Sequence, residues 1–257
     1  MLTPPEIAQS LLAAGESKAR LPFGKMLLLA ILAGAYIALA GVGATAAAVT
    51  VESGSLAKLL SACVFPAGLS MVILAGSELF TGNCLMVMAL LERRITPAQL
   101  LRNWLTVYLG NAVGGAAVAA LAVYSHTASL FGDGLARSMA SIAESKAALG
   151  FGDAFLRGVL CNFLVCLAVW MAAASKRAEG KVIALFFPIL LFVLCGYEHC
   201  IANLYYLPAG AFAAVEYGME TTLTLAGCLK SLAAVTLGNL VGGAALGMGY
   251  RFAYLKE

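Results

Sequence analysis

Two short runs place ionisable and amide side chains inside otherwise apolar sequence. The first is Gly76-Ser77-Glu78-Leu79-Phe80-Thr81-Gly82-Asn83. The second is Gly196-Tyr197-Glu198-His199-Cys200-Ile201-Ala202-Asn203. Both hold Gly, Glu and Asn in the same order and spacing, 120 residues apart. Asn162 is a further amide in an apolar run. If these runs lie in a membrane, such groups are costly and read as functional sites. Their chemistry would be hydrogen-bond donation to a small solute that has lost water, or proton exchange with it. A plainer role stands beside this one. Glu78 and Glu198 would cap the amides of a broken helix, and Asn83 and Asn203 would satisfy freed backbone groups. His199 is the histidine at such a break, whereas His126 follows an apolar run and reads as a loop residue.

Other chemistry is poorly supplied. A bis-histidine haem needs two facing histidines, and the Cys and His spacings fit no zinc site. No nucleophile elbow or phosphate loop occurs, so neither an intramembrane enzyme nor any metal or cofactor is expected. Seven cysteines are present without a CxxC pair, and most sit in apolar runs. They read as small core residues rather than a disulfide framework.

The elements that must position these groups follow from composition. Apolar residues make up 62% of the 257 residues and charged residues 11%, with a mean hydropathy of +0.93. A soluble domain carries roughly 25% charged residues, so a bilayer must solvate much of this chain. A net charge of +3 spread along the sequence gives no sign of a nucleic-acid partner. The first 25 residues are broken by charges and prolines and do not read as a cleavable signal. Thr3–Arg20 reads as an amphipathic segment that either plugs one mouth of the protein or lies along its surface.

A crossing takes about 20 apolar residues in helix. Six stretches approach this: Met26–Thr50, Leu59–Leu91, Trp104–Tyr124, Phe155–Ala174, Val182–Leu207 and Leu229–Tyr250. The second and fifth are overlong and interrupted, by Pro66, Gly68, Gly76 and Gly82 in one and Pro188, Gly196 and Pro208 in the other. The segment Ser125–Asp153 reads as a charged connection. With the N-terminus inside, inner segments hold 11 Lys and Arg and outer ones 5, among the 16 in the chain. That excess expects both termini in the cytoplasm.

The chain repeats itself. Leu109-Gly110-Asn111-Ala112-Val113-Gly114-Gly115-Ala116-Ala117 returns as Leu237-Gly238-Asn239-Leu240-Val241-Gly242-Gly243-Ala244-Ala245, 128 residues later. Each half therefore holds three spans, and an odd number inverts the second half relative to the first. The expected fold is an all-α integral membrane protein, six transmembrane helices in two inverted three-helix repeats with helices 2 and 5 broken. The single domain spans 1–257, with 1–22 an N-terminal segment, 23–124 the first repeat and 153–257 the second. Interrupted spans in matching positions point to the transport site. The glycines at four-residue spacing in the third and sixth spans read as close helix packing.

Together, Gly-Ser-Glu-Leu-Phe-Thr-Gly-Asn at 76–83, Leu-Cys-Asn-Phe-Leu-Val-Cys-Leu-Ala-Val-Trp-Met at 160–171, Gly-Tyr-Glu-His-Cys-Ile-Ala-Asn at 196–203 and the Gly-Asn-x-x-Gly of spans three and six resemble the formate/nitrite transporter family. The likeness covers essentially the whole chain. It implies an aquaporin-like protomer with its own pore, assembled as a homopentamer in the bacterial cytoplasmic membrane. It implies that His199 is the central pore histidine with Thr81 beside it. Phe65 and Phe192 would form an outer constriction, and Leu69, Phe80 and Val165 an inner one. Lys146, 16 residues before Asn162, resembles the lysine that draws anions inward, and Glu198 and Asn203 resemble supports of the histidine region. Cys200 stands where serine is common in the family.

The expected function is conduction of small monovalent anions of weak acids, formate first and nitrite or hydrosulfide besides, modulated by pH through His199. Two alternatives stay open. One is a proton-coupled transporter of the same anions using Glu78 or Glu198. The other is a neutral-solute channel, since Asn83 and Asn203 resemble the paired asparagines of aquaporins but lack their proline-alanine context.

Overall fold

The computed structural model describes residues 1–255, and no strand occurs among them. Twelve α-helices follow one another: α1 Pro4–Ala19, α2 Phe23–Ala48, α3 Gly54–Val64, α4 Pro66–Ala75, α5 Phe80–Asn83, α6 Val87–Leu91, α7 Pro97–Tyr124, α8 Gly134–Ala148, α9 Phe151–Ala173, α10 Ala178–Leu194, α11 Cys200–Glu216 and α12 Leu225–Tyr254. A 3₁₀ turn, Cys84–Met86, joins α5 to α6.

Five helices are long and apolar enough to cross a bilayer: α2, the continuous run Gly54–Ala75, α7, α9 and α12. The stretch expected over Val182–Leu207 is instead divided between α10 and α11, of 17 residues each, on either side of a break. The outward faces are apolar. Leu105, Leu109, Leu121 and Ile183 are each more than half exposed. Water would penalise such a surface and a hydrocarbon solvent would not.

The most extensive packing is between α2 and α7 and, in the second half, between α9 and α12. Glycine makes it possible. A Cβ at Gly114 would overlap the Ile31 carbonyl, and one at Gly238 would overlap the Phe155 carbonyl. The packing reading of these glycines therefore holds. The long α7 starts on a capping box, in which Thr96 Oγ1 accepts from Gln99 N–H at 3.2 Å and Gln99 Oε1 accepts from Thr96 N–H at 2.8 Å.

Several local expectations need correction. Only one interruption in each overlong span ends a helix. Gly76, at φ +80°, closes α4, and Gly196, at φ +69°, follows α10. Both occupy the left-handed region that glycine enters without steric cost. Pro66 is the first residue of α4 and keeps the helix running because that position needs no N–H. Gly68 and Gly82 lie within α4 and α5. Pro208 does not break its span. It sits inside α11, which continues to Glu216, held against α7 and α8. The segment Ser125–Asp153 is not a plain connection, since it contains α8, which buries Leu135, Ala136, Met139, Ala140, Ala143 and Ala147. The N-terminal segment, expected either to plug a mouth or to lie along the surface, is a helix packed against the rest of the chain. α1 buries Ile7, Ala8, Leu12, Gly15 and Ala19 beneath the bundle. No disulfide links the seven cysteines, of which Cys63 and Cys195 are exposed.

Candidate functional site

Two cavities approach each other along the run Gly54–Ala75. The larger, of about 950 Å³, is lined by Lys58, Ser61 and Phe65 from this run, by α8 residues including Lys146, and by Phe192, Glu198 and His199. The smaller, of about 350 Å³, is lined by Leu69, Val72, Ile73 and Gly76 further along the same run, and by Leu11, Gly15 and Lys18 of α1. One helix thus leads from one cavity to the other. Phe65 and Leu69 are one turn apart, so the closed stretch between the cavities is about 6 Å of helix rise.

At this stretch the two breaks meet. Thr81 Oγ1 and His199 Nε2 lie 2.9 Å apart, with both residues buried. His199 Nδ1 accepts the N–H of Ala202 at 3.0 Å, so the ring caps the start of α11. Phe192 stacks on the imidazole with centroids 5.8 Å apart. Phe65 meets Phe192 edge-on at 5.7 Å. The aromatic pair and the histidine therefore share one layer at the floor of the larger cavity. Phe80 is buried and packs edge-on against Trp104 and Tyr108, and Val165 is buried on α9. Leu69 faces the smaller cavity, as does Leu79, the residue 120 positions before His199.

The backbone of each break is held by an asparagine that the sequence reading had assigned only to a repeated motif. Asn111 Oδ1 accepts from Phe80 N–H at 3.0 Å, and its Nδ2 donates to the carbonyls of Ala30 at 2.7 Å and Glu78 at 3.0 Å. Asn239 does the same in the second half. Its Oδ1 accepts from Cys200 N–H at 2.9 Å, and its Nδ2 donates to the carbonyls of Gly158 at 2.8 Å and Glu198 at 2.9 Å. Asn162 braces the two halves. Its Nδ2 donates to the Thr81 carbonyl at 3.2 Å and to the Asn239 carbonyl at 2.7 Å. The signal was present in the repeat of Gly-Asn at an offset of 128.

The capping role considered for Glu78 and Glu198 belongs to these asparagines and to His199. The glutamates do something else. Glu78 accepts from Lys18 Nζ at 2.7 Å and from Asn83 Nδ2 at 2.7 Å. Glu198 accepts from Lys146 Nζ through both oxygens, at 3.0 and 2.9 Å, and from Asn203 Nδ2 at 2.8 Å. Lys18 and Lys146 are 128 residues apart, the offset of the asparagines. Each half therefore builds a Lys–Glu–Asn chain, one beside each cavity. The two differ in detail. Asn83 Nδ2 also donates to Asn103 Oδ1 at 2.9 Å, whereas Asn203 Oδ1 has no protein partner.

His126 is exposed at a bend after α7 and lines neither cavity. Among the described residues, no cluster of His, Cys, Asp or Glu is arranged to hold a metal ion. The pair at Thr81 and His199 offers two hydrogen-bonding groups in an apolar collar between two cavities. Because Nδ1 accepts the Ala202 N–H, Nε2 of the neutral ring carries the proton and is not placed to deprotonate the Thr81 hydroxyl.

Membrane-length helices, two broken spans meeting at a polar pair, and cavities on either side define a membrane transport protein. The chain belongs to the formate/nitrite transporter family, whose model matches residues 5–253. A probable formate transporter from Methanothermobacter thermautotrophicus is 38% identical, with 99% of this chain and 98% of the relative covered. A solved FNT family ion channel superposes with a TM-score of 0.86 at 32% identity, covering 96% of this chain and 98% of that one. A solved pentameric formate channel with formate bound gives 0.81 at 32% identity, covering 91% and 98%.

Proposed function

We propose that the chain conducts small monovalent anions of weak acids, formate foremost and nitrite or hydrosulfide besides, through the constriction at Thr81 and His199. One observation carries this reading: the 2.9 Å contact between Thr81 Oγ1 and His199 Nε2 stands at the point where two opposed cavities end. The formate-binding solved relative and the formate transporter relative support formate as the first anion to test.

The mechanism follows from the hydrogen bonds. Because Nδ1 accepts the Ala202 N–H, the neutral ring carries its proton on Nε2 and donates it to Thr81 Oγ1. The Thr81 hydroxyl hydrogen is then left to meet an anion. Phe65, Phe192, Leu69, Phe80 and Val165 act as the apolar collar that strips water, and the Thr81 hydroxyl offsets part of that cost, while Asn162 holds the Thr81 backbone in place. Protonation of Nδ1 would release the Ala202 amide, so acidification acts on the histidine and on the start of α11 together. This is the proposed origin of pH modulation. Lys146, Glu198 and Asn203 hold the histidine segment in place from the larger cavity.

The protomer assembles as a homopentamer in the bacterial cytoplasmic membrane with both termini cytoplasmic, a reading supported by the distribution of Lys and Arg and by the pentameric relative. Lys18 of α1 and Lys146 of α8, which precede the first span of each half, also share the 128-residue offset.

Flux of formate into liposomes at two pH values tests the reading. The wild-type protein should carry formate with a pH-dependent rate. His199→Phe should lose that dependence while the oligomer elutes unchanged on size exclusion. Unchanged flux and pH dependence would remove the histidine from the mechanism. Uphill formate flux driven by a pH gradient would favour proton-coupled transport. Water flux without formate flux would favour a neutral-solute channel.

A further inference from the structure

The two Lys–Glu–Asn chains are built alike as far as the asparagine and diverge there. In the first half the chain ends on protein. Asn83 Nδ2 donates to Glu78 Oε2 at 2.7 Å and also to Asn103 Oδ1 at 2.9 Å. Asn103 Nδ2 in turn reaches the Lys18 carbonyl at 3.5 Å and Met26 Sδ at 3.8 Å. In the second half Asn203 Nδ2 donates to Glu198 Oε2 at 2.8 Å and, among the described residues, to nothing else.

The residues in the completing positions are shorter. At the 128-residue offset Asn103 corresponds to Ser231 and Met26 to Ala154. All four are fully buried. Ser231 keeps a hydroxyl but lacks the reach of an asparagine. Its Oγ has no protein partner, and neither has Asn203 Oδ1. The counterpart of the Lys18 carbonyl is the Lys146 carbonyl, in the last turn of α8, where carbonyls have no partner within the helix. Ala143 and Ala147 of α8, Leu207 of α11, and Cys228 and Leu232 of α12 pack in one apolar cluster, so the three helices close together at this level. Buried polar groups are hydrogen-bonded as a rule, and where protein does not supply the partner an ordered water does.

We propose that a buried water binds between Asn203 and Ser231, in the place that the Asn103 amide fills in the first half. It bonds the Asn203 side-chain amide and the Ser231 hydroxyl and donates to the Lys146 carbonyl. These partners match the usual valence of a buried water, about three hydrogen bonds. An ion does not suit the site, because Lys146 and Glu198 already answer each other and the remaining groups are neutral. The amide that steadies Glu198, one residue before His199, is therefore braced by an exchangeable solvent molecule. The amide that steadies Glu78 is braced by a side chain. The break that carries the histidine is the more yielding of the two.

A structure of the oligomer at a resolution that shows ordered water, with two variants, tests this. Wild-type density should place a water within about 3.2 Å of both the Asn203 amide and Ser231 Oγ. Ser231→Asn should expel it, restore the direct amide contact of the first half and raise the melting temperature by about 2–4 °C. Ser231→Ala should lower the melting temperature by a similar amount, because it takes a partner from the water. Without the water, the same change would only delete an unmet hydroxyl and would raise it. Amide hydrogen exchange across Glu198–Asn203 should slow about fivefold in Ser231→Asn, with exchange across Glu78–Asn83 unchanged. Density in which Asn203 and Ser231 touch each other or a third side chain overturns the water site. So does a Ser231→Ala variant that melts at or above the wild type. Exchange that slows in neither segment, or in both alike, overturns the more yielding histidine break. If Ser231→Asn does not assemble, the wild-type density and the Ser231→Ala melt decide.

Discussion

Tyr108 and Thr236 are 128 residues apart in sequence and hydrogen-bond to each other, hydroxyl to hydroxyl, at 3.0 Å. That spacing is the repeat offset, so each is the other's counterpart. Two counterparts can touch only near the axis that relates the halves. Tyr108 also packs edge-on against Phe80, the residue before Thr81. The pseudo-symmetry axis therefore passes close to the constriction, and each half contributes one side of it.

The capping asparagines should be among the most sensitive positions in the chain. Asn239→Ala leaves the Cys200 N–H and the Glu198 and Gly158 carbonyls without their partner in a buried setting. Each orphaned group costs about 1–3 kcal/mol, so a loss of about 3 kcal/mol or more is expected. Thermal unfolding of the purified oligomer should shift down for Asn239→Ala and for Asn111→Ala alike. Asn239→Asp keeps the acceptor for Cys200 and loses both donations, and its melting temperature should still fall.

Thr81 should matter through its hydroxyl rather than its shape. Thr81→Val keeps the volume and removes the hydrogen bond to His199 and the donor offered to an anion. One hydrogen bond of about 1.4 kcal/mol corresponds to about tenfold in rate. Formate flux should fall by about that factor in Thr81→Val and stay within about threefold of wild type in Thr81→Ser. Full flux in the valine variant would dismiss the hydroxyl.

The Lys146–Glu198 pair tests the use of charge within the membrane. The side chains are 15% and 7% exposed. Removing one partner from a buried pair costs about 3–5 kcal/mol because the other charge is stranded. Lys146→Met alone should therefore destabilise the oligomer more than Lys146→Met combined with Glu198→Gln. A thermal-stability double-mutant cycle reads the difference directly.

A pH-sensitive tether lies outside the spans. The Glu144 carboxyl on α8 accepts from Thr221 Oγ1 and from Thr222 N–H, both at 2.8 Å. The Thr221 hydroxyl, with the Thr222 amide second, holds it below the ordinary 4.5. A depressed folded value contributes stability that is present above 4.5 and is lost as pH falls through the folded value. Acidification below about pH 4.5 should release the connection between α11 and α12. Proteolysis or hydrogen exchange within residues 217–224 should quicken there, and Glu144→Ala, which removes the acceptor of both bonds, should show the quickened rate at neutral pH.

The sequence by itself determined the solvent and the plan. Its charge-poor composition demanded a bilayer, its apolar runs marked the spans, and the paired motifs at offsets of 120 and 128 declared two related halves. It also named His199, Thr81 and the two glutamates, because polar groups in apolar runs stand out without any coordinates. What only the tertiary structure decided is which interruptions break a helix and which groups meet. A proline within a helix and a proline at its first residue look alike in sequence. Pro66 falls at a first residue, where no N–H is needed, and Pro208 lies inside α11, whereas Gly76 and Gly196 end their helices in the left-handed backbone region. Asn111 and Asn239 show in the sequence as a repeated motif but not as caps, since an asparagine serves as a cap only when another segment brings it an unpaired amide. The same holds for Lys18, whose partner lies 60 residues away. Hydrogen-bond partners are set by distances of about 3 Å between segments far apart in the chain, and only the folded chain supplies those distances.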